Sequence, residues 1–187
     1  MGSSNPAKCY VRSGTLVHCL TKTLSDLFSV VLGRPGAGCT TLLHTISAHT
    51  PASSGIKTSG VLQYDSLPSP LPESYRCDLQ YCPEADVHLP TLTVAQTLAF
   101  AARTRTPRSR PDGATRDLYV DLMVEVLLTI FGLRHVRDVK VGNEWVRGVS
   151  GGQRKRVSVA EVLAMRGKII CWDKCVSGPL LTLSLIG

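Results

Sequence analysis

Between residues 33 and 41 the chain reads Gly33-Arg34-Pro35-Gly36-Ala37-Gly38-Cys39-Thr40-Thr41, glycines and hydroxyls at a spacing that could hold a phosphate. Glycines let backbone N–H groups converge on anionic oxygens, and a helix starting behind them adds partial positive charge. Gly33 and Gly38 stand at the two glycine positions of G-x-x-x-x-G-K-[ST], and Thr40 stands where a hydroxyl would ligate magnesium. Cys39 takes the place of the lysine, so the backbone cradle is kept and a full positive charge is lost. Taken alone, the loop also fits a plain glycine-rich turn. A second group, Ser150-Gly151-Gly152-Gln153, precedes apolar residues at helical spacing, so an anion there would meet unsatisfied N–H groups and the positive end of a dipole.

These residues need elements to hold them. Phe28-Ser29-Val30-Val31-Leu32 predicts a strand into the first loop, and Leu42, Leu43 and Ile46 predict a helix out of it. Residues 60–65 and 78–82 read as short strands between proline-rich and glycine-rich turns. Thr93-Val94-Ala95-Gln96 is a capping box, opening a helix that runs to about Arg105 and stops at Pro107. Tyr119, Leu122, Met123, Val126, Leu127 and Ile130 predict an amphipathic helix with that stripe packed in the core, ended by Gly132. Val157, Ala160, Leu163 and Ala164 predict one face of the helix behind Ser150, which Gly167 ends. Residues 1–27 carry no clear period and are expected to be poorly ordered. Trp145 is expected to pack.

The chain's 187 residues suit one domain, and 43% hydrophobic residues suffice for a core. A net charge of +7 favours anionic partners without choosing among them. Seven cysteines, an odd number in a chain without a secretory signal, read as reduced thiols. Cys77-x4-Cys82 and Cys171-x3-Cys175 lack the pairing of a zinc site. Arg103, Arg105, Arg108 and Arg110 form a basic run without interleaved aromatics, which argues for a solvated linker and against a nucleic-acid groove. No stretch reaches the roughly 18 apolar residues of a membrane span. Met1-Gly2-Ser3-Ser4-Asn5-Pro6 does not match a myristoylation motif.

Val149-Ser150-Gly151-Gly152-Gln153-Arg154-Lys155-Arg156 resembles the signature sequence of ATP-binding-cassette (ABC) proteins. Ile169-Ile170-Cys171-Trp172-Asp173 resembles the Walker B strand that follows it. With "GRPGAGCTTLL", "EADVHLPTLTVAQTLAFAARTRTP" and "VRGVSGGQRKRVSVAE", the chain resembles the first nucleotide-binding domain of fungal pleiotropic-drug-resistance ABC transporters over about residues 30–173. The resemblance implies an α/β phosphate-loop NTPase core, incomplete here, with a small antiparallel β flank and a helical subdomain inserted at about 94–147. It divides the chain into an N-terminal segment 1–27, a nucleotide-binding domain 28–173 and a divergent tail 174–187.

By the same resemblance ATP and magnesium are the cofactors. Gly33, Gly36, Ala37, Gly38, Cys39, Thr40 and Thr41 would cradle phosphates, Glu84 takes the place of the usual Q-loop glutamine, and Thr40 with Asp173 would hold magnesium. Ser150, Gly151, Gly152 and Gln153 would meet the γ-phosphate of ATP bound by a second nucleotide-binding domain in a head-to-tail pair. The resemblance makes the transmembrane domains the other partner, docked by coupling helices on the helical subdomain, and puts the chain at the cytoplasmic face of a membrane it does not itself span. Lys174 occupies the general-base position, where active members have glutamate and the resembled domain has asparagine, so no catalytic residue is assigned and hydrolysis by this chain alone is expected to be impaired. The aromatic that stacks on adenine is not evident unless it is Tyr10. Asp86 and His88 stay open between the site and a solvated loop. Gly178 matches a D-loop glycine whereas Leu180 replaces its aspartate, and the chain is expected to be a fragment or a truncated gene product. The drug-efflux reading has two rivals: a non-catalytic interaction fragment that binds a partner ABC domain or membrane subunit, and a basic nucleic-acid-binding protein, which would show salt-dependent DNA affinity that ATP does not displace.

Overall fold

The computed structural model describes residues 10–11, 20–25, 28–49, 56, 58–59, 64, 73–110 and 113–174. They belong to two compact units, residues 1–81 and 82–187.

The first unit opens with strands β1 (Tyr10–Val11), β2 (Leu20–Ser25) and β3 (Phe28–Leu32), followed by helix α1 (Cys39–Ile46), strand β4 (Thr58–Ser59), a 3-10 turn over Glu73–Asp78 and strand β5 (Leu79–Cys82) at its edge. The apolar run before the glycine loop is therefore the strand expected of it. Its partner is β2, antiparallel from Leu20 opposite Leu32 to Ser25 opposite Phe28, with an irregularity between Thr23 and Ser25. Tyr10–Val11 pairs antiparallel with Thr58–Ser59; the rest of the 1–27 segment expected to be poorly ordered, apart from 20–25, lies outside the described residues. Backbone hydrogen bonds make both pairings, and they need no alternating side-chain pattern for periodicity to detect. Of the strand expected at 60–65, residues 60–63 and 65 lie outside the described residues. In α1, Leu42 is buried, and the His44 ring lies 4.2 Å from that of Tyr81. The Tyr64 hydroxyl donates to the Ile46 carbonyl near the helix end.

In the second unit, α2 (Val94–Thr104), α3 (Arg116–Ile130) and α4 (Gly151–Ala164) pack around one core, and β6 (Ile169–Trp172) follows α4. The capping box of α2 forms as expected: the Thr93 N–H donates to Gln96 Oε1 (3.0 Å) and the Gln96 N–H to Thr93 Oγ1 (3.2 Å). Val94, Leu98, Ala101 and Ala102 of α2 meet Val120, Val124 and Leu128 of α3 and Val157, Ala160 and Ala164 of α4. Leu163, expected on the same face, is 38% exposed.

The stripe expected to bury α3 is overturned. Leu122, Val126 and Ile130 are 64%, 43% and 50% exposed, and Leu118 joins them at 60%. Only Leu127 of the expected stripe is buried. The helix sequence is apolar around most of its circumference, so periodicity offers two faces. Packing against α2 selects the one bearing Val120, Val124, Leu127 and Leu128.

After α3, a 3-10 turn at Arg134–Val136 brings the chain back to the start of α2, where the Val94 N–H donates to the Val139 carbonyl (3.1 Å) and the Val141 N–H to the Leu92 carbonyl (2.9 Å). Residues 142–148 then fold back on themselves immediately before the signature. A Cβ on Gly142 would sit 2.5 Å from the Val146 carbonyl oxygen, and one on Gly148 would press against the Val141 carbonyl. Both obstacles are backbone. Gly148→Ala is accordingly expected to destabilise the chain by about 1–3 kcal/mol, the usual scale of overpacking, read from its urea midpoint; an unchanged midpoint would contradict this packing. Trp145, expected to pack, is 90% exposed at the tip of this loop, where Asn143 Oδ1 accepts from the N–H groups of Trp145 and Val146 and turns the backbone outward. Among the described residues no helix is long and apolar enough to cross a membrane.

Candidate functional site

The glycine loop leaves β3 at Gly33 and closes on itself through the Ala37 N–H, which donates to the Arg34 carbonyl (2.9 Å). Gly36 and Gly38 take φ of 81° and 84°, left-handed backbone that a side chain disfavours. Gly38 is the N-cap of α1 and offers no side chain to cap it. A helix start without a capping side chain keeps that role open to another acceptor, and two left-handed glycines around Ala37 curve the backbone as anion-holding loops do. These residues fit the phosphates of a nucleotide. Cys39 is the first residue of α1 and half-buried, as are Thr40 and Thr41.

Ser150 is the N-cap of α4, its Oγ accepting from the Gln153 N–H (3.3 Å) while Gln153 Oε1 accepts from the Ser150 N–H (2.9 Å). This reciprocal box was not read from the sequence, although Ser-x-x-Gln is its pattern. It consumes two donors of the helix start and leaves the N–H groups of Gly151 and Gly152, both exposed. A Cβ built on either glycine would meet nothing within 4 Å, so the chain's own packing does not require glycine there. Space beside unsatisfied donors at a helix N-terminus suits an anion approaching from outside. Gln153 Nε2 also donates to His135 Nε2 (3.0 Å), and Arg156 Nη1 donates to the Phe131 carbonyl (2.9 Å), which tie the signature to the end of α3.

Asp173 follows β6 and is 4% exposed, its N–H donating to the Cys82 carbonyl (3.0 Å). A buried carboxylate at a strand end suits a magnesium-bound water. Thr40, the other expected ligand, belongs to the first unit. Lys174, with a left-handed φ of 48°, places Nζ 2.7 Å from Glu84 Oε2. Hydrogen bonding to Glu84 and its charge hold the ammonium above the ordinary lysine value, with Asp173 adding to the effect. A lysine so held is charged at neutral pH and accepts no proton. Both partners are exposed, so the pair orients Glu84 more than it stabilises the fold.

Burial pushes the thiol of Cys171, the residue two before Asp173, up to about 11. It stays protonated at neutral pH and is a poor nucleophile. Iodoacetamide at pH 8 is expected to modify exposed Cys77 well before Cys171; equal rates by peptide mass analysis would contradict the burial.

Sequence reasoning left Asp86 and His88 open between site and solvent. His88 is not solvated: its side chain is 3% exposed and sits against Ser158 and Glu161 of α4. The signal was a polar residue in an otherwise apolar approach to α2, but nothing local identified the helix it meets.

A family profile described as ABC transporter matches residues 26–177. The ABC transporter CDR4 of Candida albicans is 47% identical over 151 residues, covering 80% of this chain and 10% of that protein. The pleiotropic ABC efflux transporter of multiple drugs PDH1 of Candida glabrata is 49% identical over 150 residues, again 80% and 10%. The ABC transporter ATP-binding protein/permease PDR18 of Saccharomyces cerevisiae is 46% identical over 150 residues, 80% and 11%. The chain spans about a tenth of the length of these curated relatives.

Proposed function

The chain belongs to the ABC transporter family, with its phosphate-loop fold, and on that premise we propose that it is the ATP-binding portion of a drug-efflux transporter. The observation that carries the proposal is the pair of open helix starts, Gly38 before α1 and Gly151-Gly152 at the head of α4, each offering N–H donors beside glycines. Gly33, Gly36, Ala37, Gly38, Cys39, Thr40 and Thr41 hold the nucleotide's phosphates, and Thr40 and Asp173 hold magnesium, which would neutralise phosphate charge there. Glu84 takes the Q-loop position, from which a carboxylate would touch the metal.

Ser150, Gly151, Gly152 and Gln153 serve a different nucleotide, bound by a second nucleotide-binding domain facing this one head to tail. The transmembrane domains of the same transporter hold the chain at the cytoplasmic face of the membrane. The antiparallel strands of the first unit flank the nucleotide, and the segment at about 94–147 is the helical subdomain. Hydrolysis at this chain's own phosphate loop is weak, because Cys39 brings no ammonium and Lys174 no base.

One observation favours a second reading, in which the chain is an interaction fragment that binds a partner ABC domain or membrane subunit without using nucleotide. Leu118, Leu122, Val126 and Ile130 form an exposed apolar ridge along α3, and such a ridge suits a protein partner. Equilibrium binding of ATP with magnesium separates the readings: saturable binding supports the first, and its absence leaves the second.

A further inference from the structure

We propose that Lys174 is a specificity-determining residue for the metal: its ammonium holds the Glu84 carboxylate as a resident counter-cation and keeps a divalent ion from using it. The Asp173 N–H donates to the Cys82 carbonyl (3.0 Å), which sets the residue after β6 beside the chain leaving β5. Lys174 then turns back with a left-handed φ of 48°, backbone that a side chain disfavours, and its Nζ donates to Glu84 Oε2 at 2.7 Å. Asp173, next to it, is 4% exposed, and its charge acts on the same ammonium.

Exposed ion pairs are usually weak because two long side chains must be ordered at once. Other contacts do much of that ordering here. Lys155 Nζ, on a side chain 13% exposed, donates to the carbonyls of Pro83 (3.1 Å) and Glu84 (2.7 Å) and pairs with Asp86 Oδ1 (3.4 Å). Ser158 Oγ donates to the same Asp86 oxygen at 2.6 Å. The backbone that carries Glu84 is thus fastened to α4, and a second lysine takes its carboxylate.

Charge agrees with geometry. Magnesium takes oxygen ligands, and a carboxylate brings it a full negative charge. An ammonium bonded to that carboxylate occupies one of its oxygens and sets a positive charge beside any ion that approaches. Lysine suits the task, being a compact point charge on a flexible stem. Glu84 and Asp173 bring two negative charges, and Lys174 offsets one of them; without it both are open to a divalent cation.

Placing the metal beside Asp173 rests on the nucleotide reading. Removing the ammonium supplies no base, so ion binding, and not turnover, registers its loss. The probe is Mn2+ alone, followed by the electron spin resonance signal of the free ion, on the full 187-residue chain. Lys174→Met should bind Mn2+ about tenfold more tightly than the native chain, the scale of one unit charge a few ångströms from a divalent ion at an exposed site. Lys174→Arg keeps the charge on the same left-handed backbone and should bind as weakly as the native chain. Adding Glu84→Gln to Lys174→Met should cancel the gain, which ties it to this carboxylate. ATP binding, titrated in parallel, reports on the nucleotide reading separately: its absence beside the Mn2+ gain would remove that reading and leave Lys174 as the ion's competitor. Equal Mn2+ affinity, or none, in the native chain and Lys174→Met would overturn the proposal, as would equal gains from Met and Arg or a gain that survives Glu84→Gln.

Discussion

Gly152→Asp, placed in a full-length transporter that contains this chain, is expected to lower ATP turnover by about a hundredfold or more, the scale of losing a donor aimed at developing charge. The change acts at a helix start whose own fold tolerates it. A Cβ at residue 152 meets nothing within 4 Å, and an acidic side chain in the first turn of α4 is favourable to the helix dipole. The fold is thus kept while a carboxylate occupies the space where phosphate would approach, so lost turnover reports the anion and not misfolding. Ser150→Ala should cost less, removing the hydroxyl and one half of the capping box, about 1 kcal/mol of helix stability. Lys174→Ala should do little, since its ammonium only pairs with exposed Glu84. Silent signature variants beside a severe Lys174→Ala would move the active site to the other end of the second unit.

Cys39→Lys is expected to tighten binding of ATP with magnesium to this chain by about tenfold to a hundredfold, the value of one charge-assisted contact. Cys39 is the first residue of α1, behind a left-handed Gly38 that leaves the helix start without a side-chain cap. The backbone donors there are already in place, and a lysine adds the missing ammonium without rebuilding the loop. Calorimetric titration of the two chains measures the difference. Equal affinities would mean that phosphate is not held at this loop.

The local signals in this chain were readable and the tertiary ones were not. Glycines at 36 and 38, a Thr-x-x-Gln box at 93–96 and the glycines at 151 and 152 act on the backbone within a few residues, so α1, α2 and α4 begin where the sequence places them. The buried face of α3 depends on α2 and α4 lying against it, and its nearly all-round apolar sequence cannot name that side. Strand β2 is defined by hydrogen bonds to β3, which leave no alternation to find. Trp145 is expected to pack because tryptophans usually do, whereas Asn143 Oδ1 holds the N–H groups of residues 145 and 146 in a turn that leaves the ring exposed. His88 shows the same limit in the site itself: its partners Ser158 and Glu161 lie some seventy positions away in the chain.

The most direct test of the nucleotide reading is an equilibrium titration of this chain and of its Cys39→Lys variant with ATP and magnesium, repeated with ADP and with DNA as competitors. The account predicts saturable one-site binding, weak in the native chain and tighter in the variant, that ADP displaces and DNA does not. No saturable binding by either chain, or binding that DNA displaces, would contradict it.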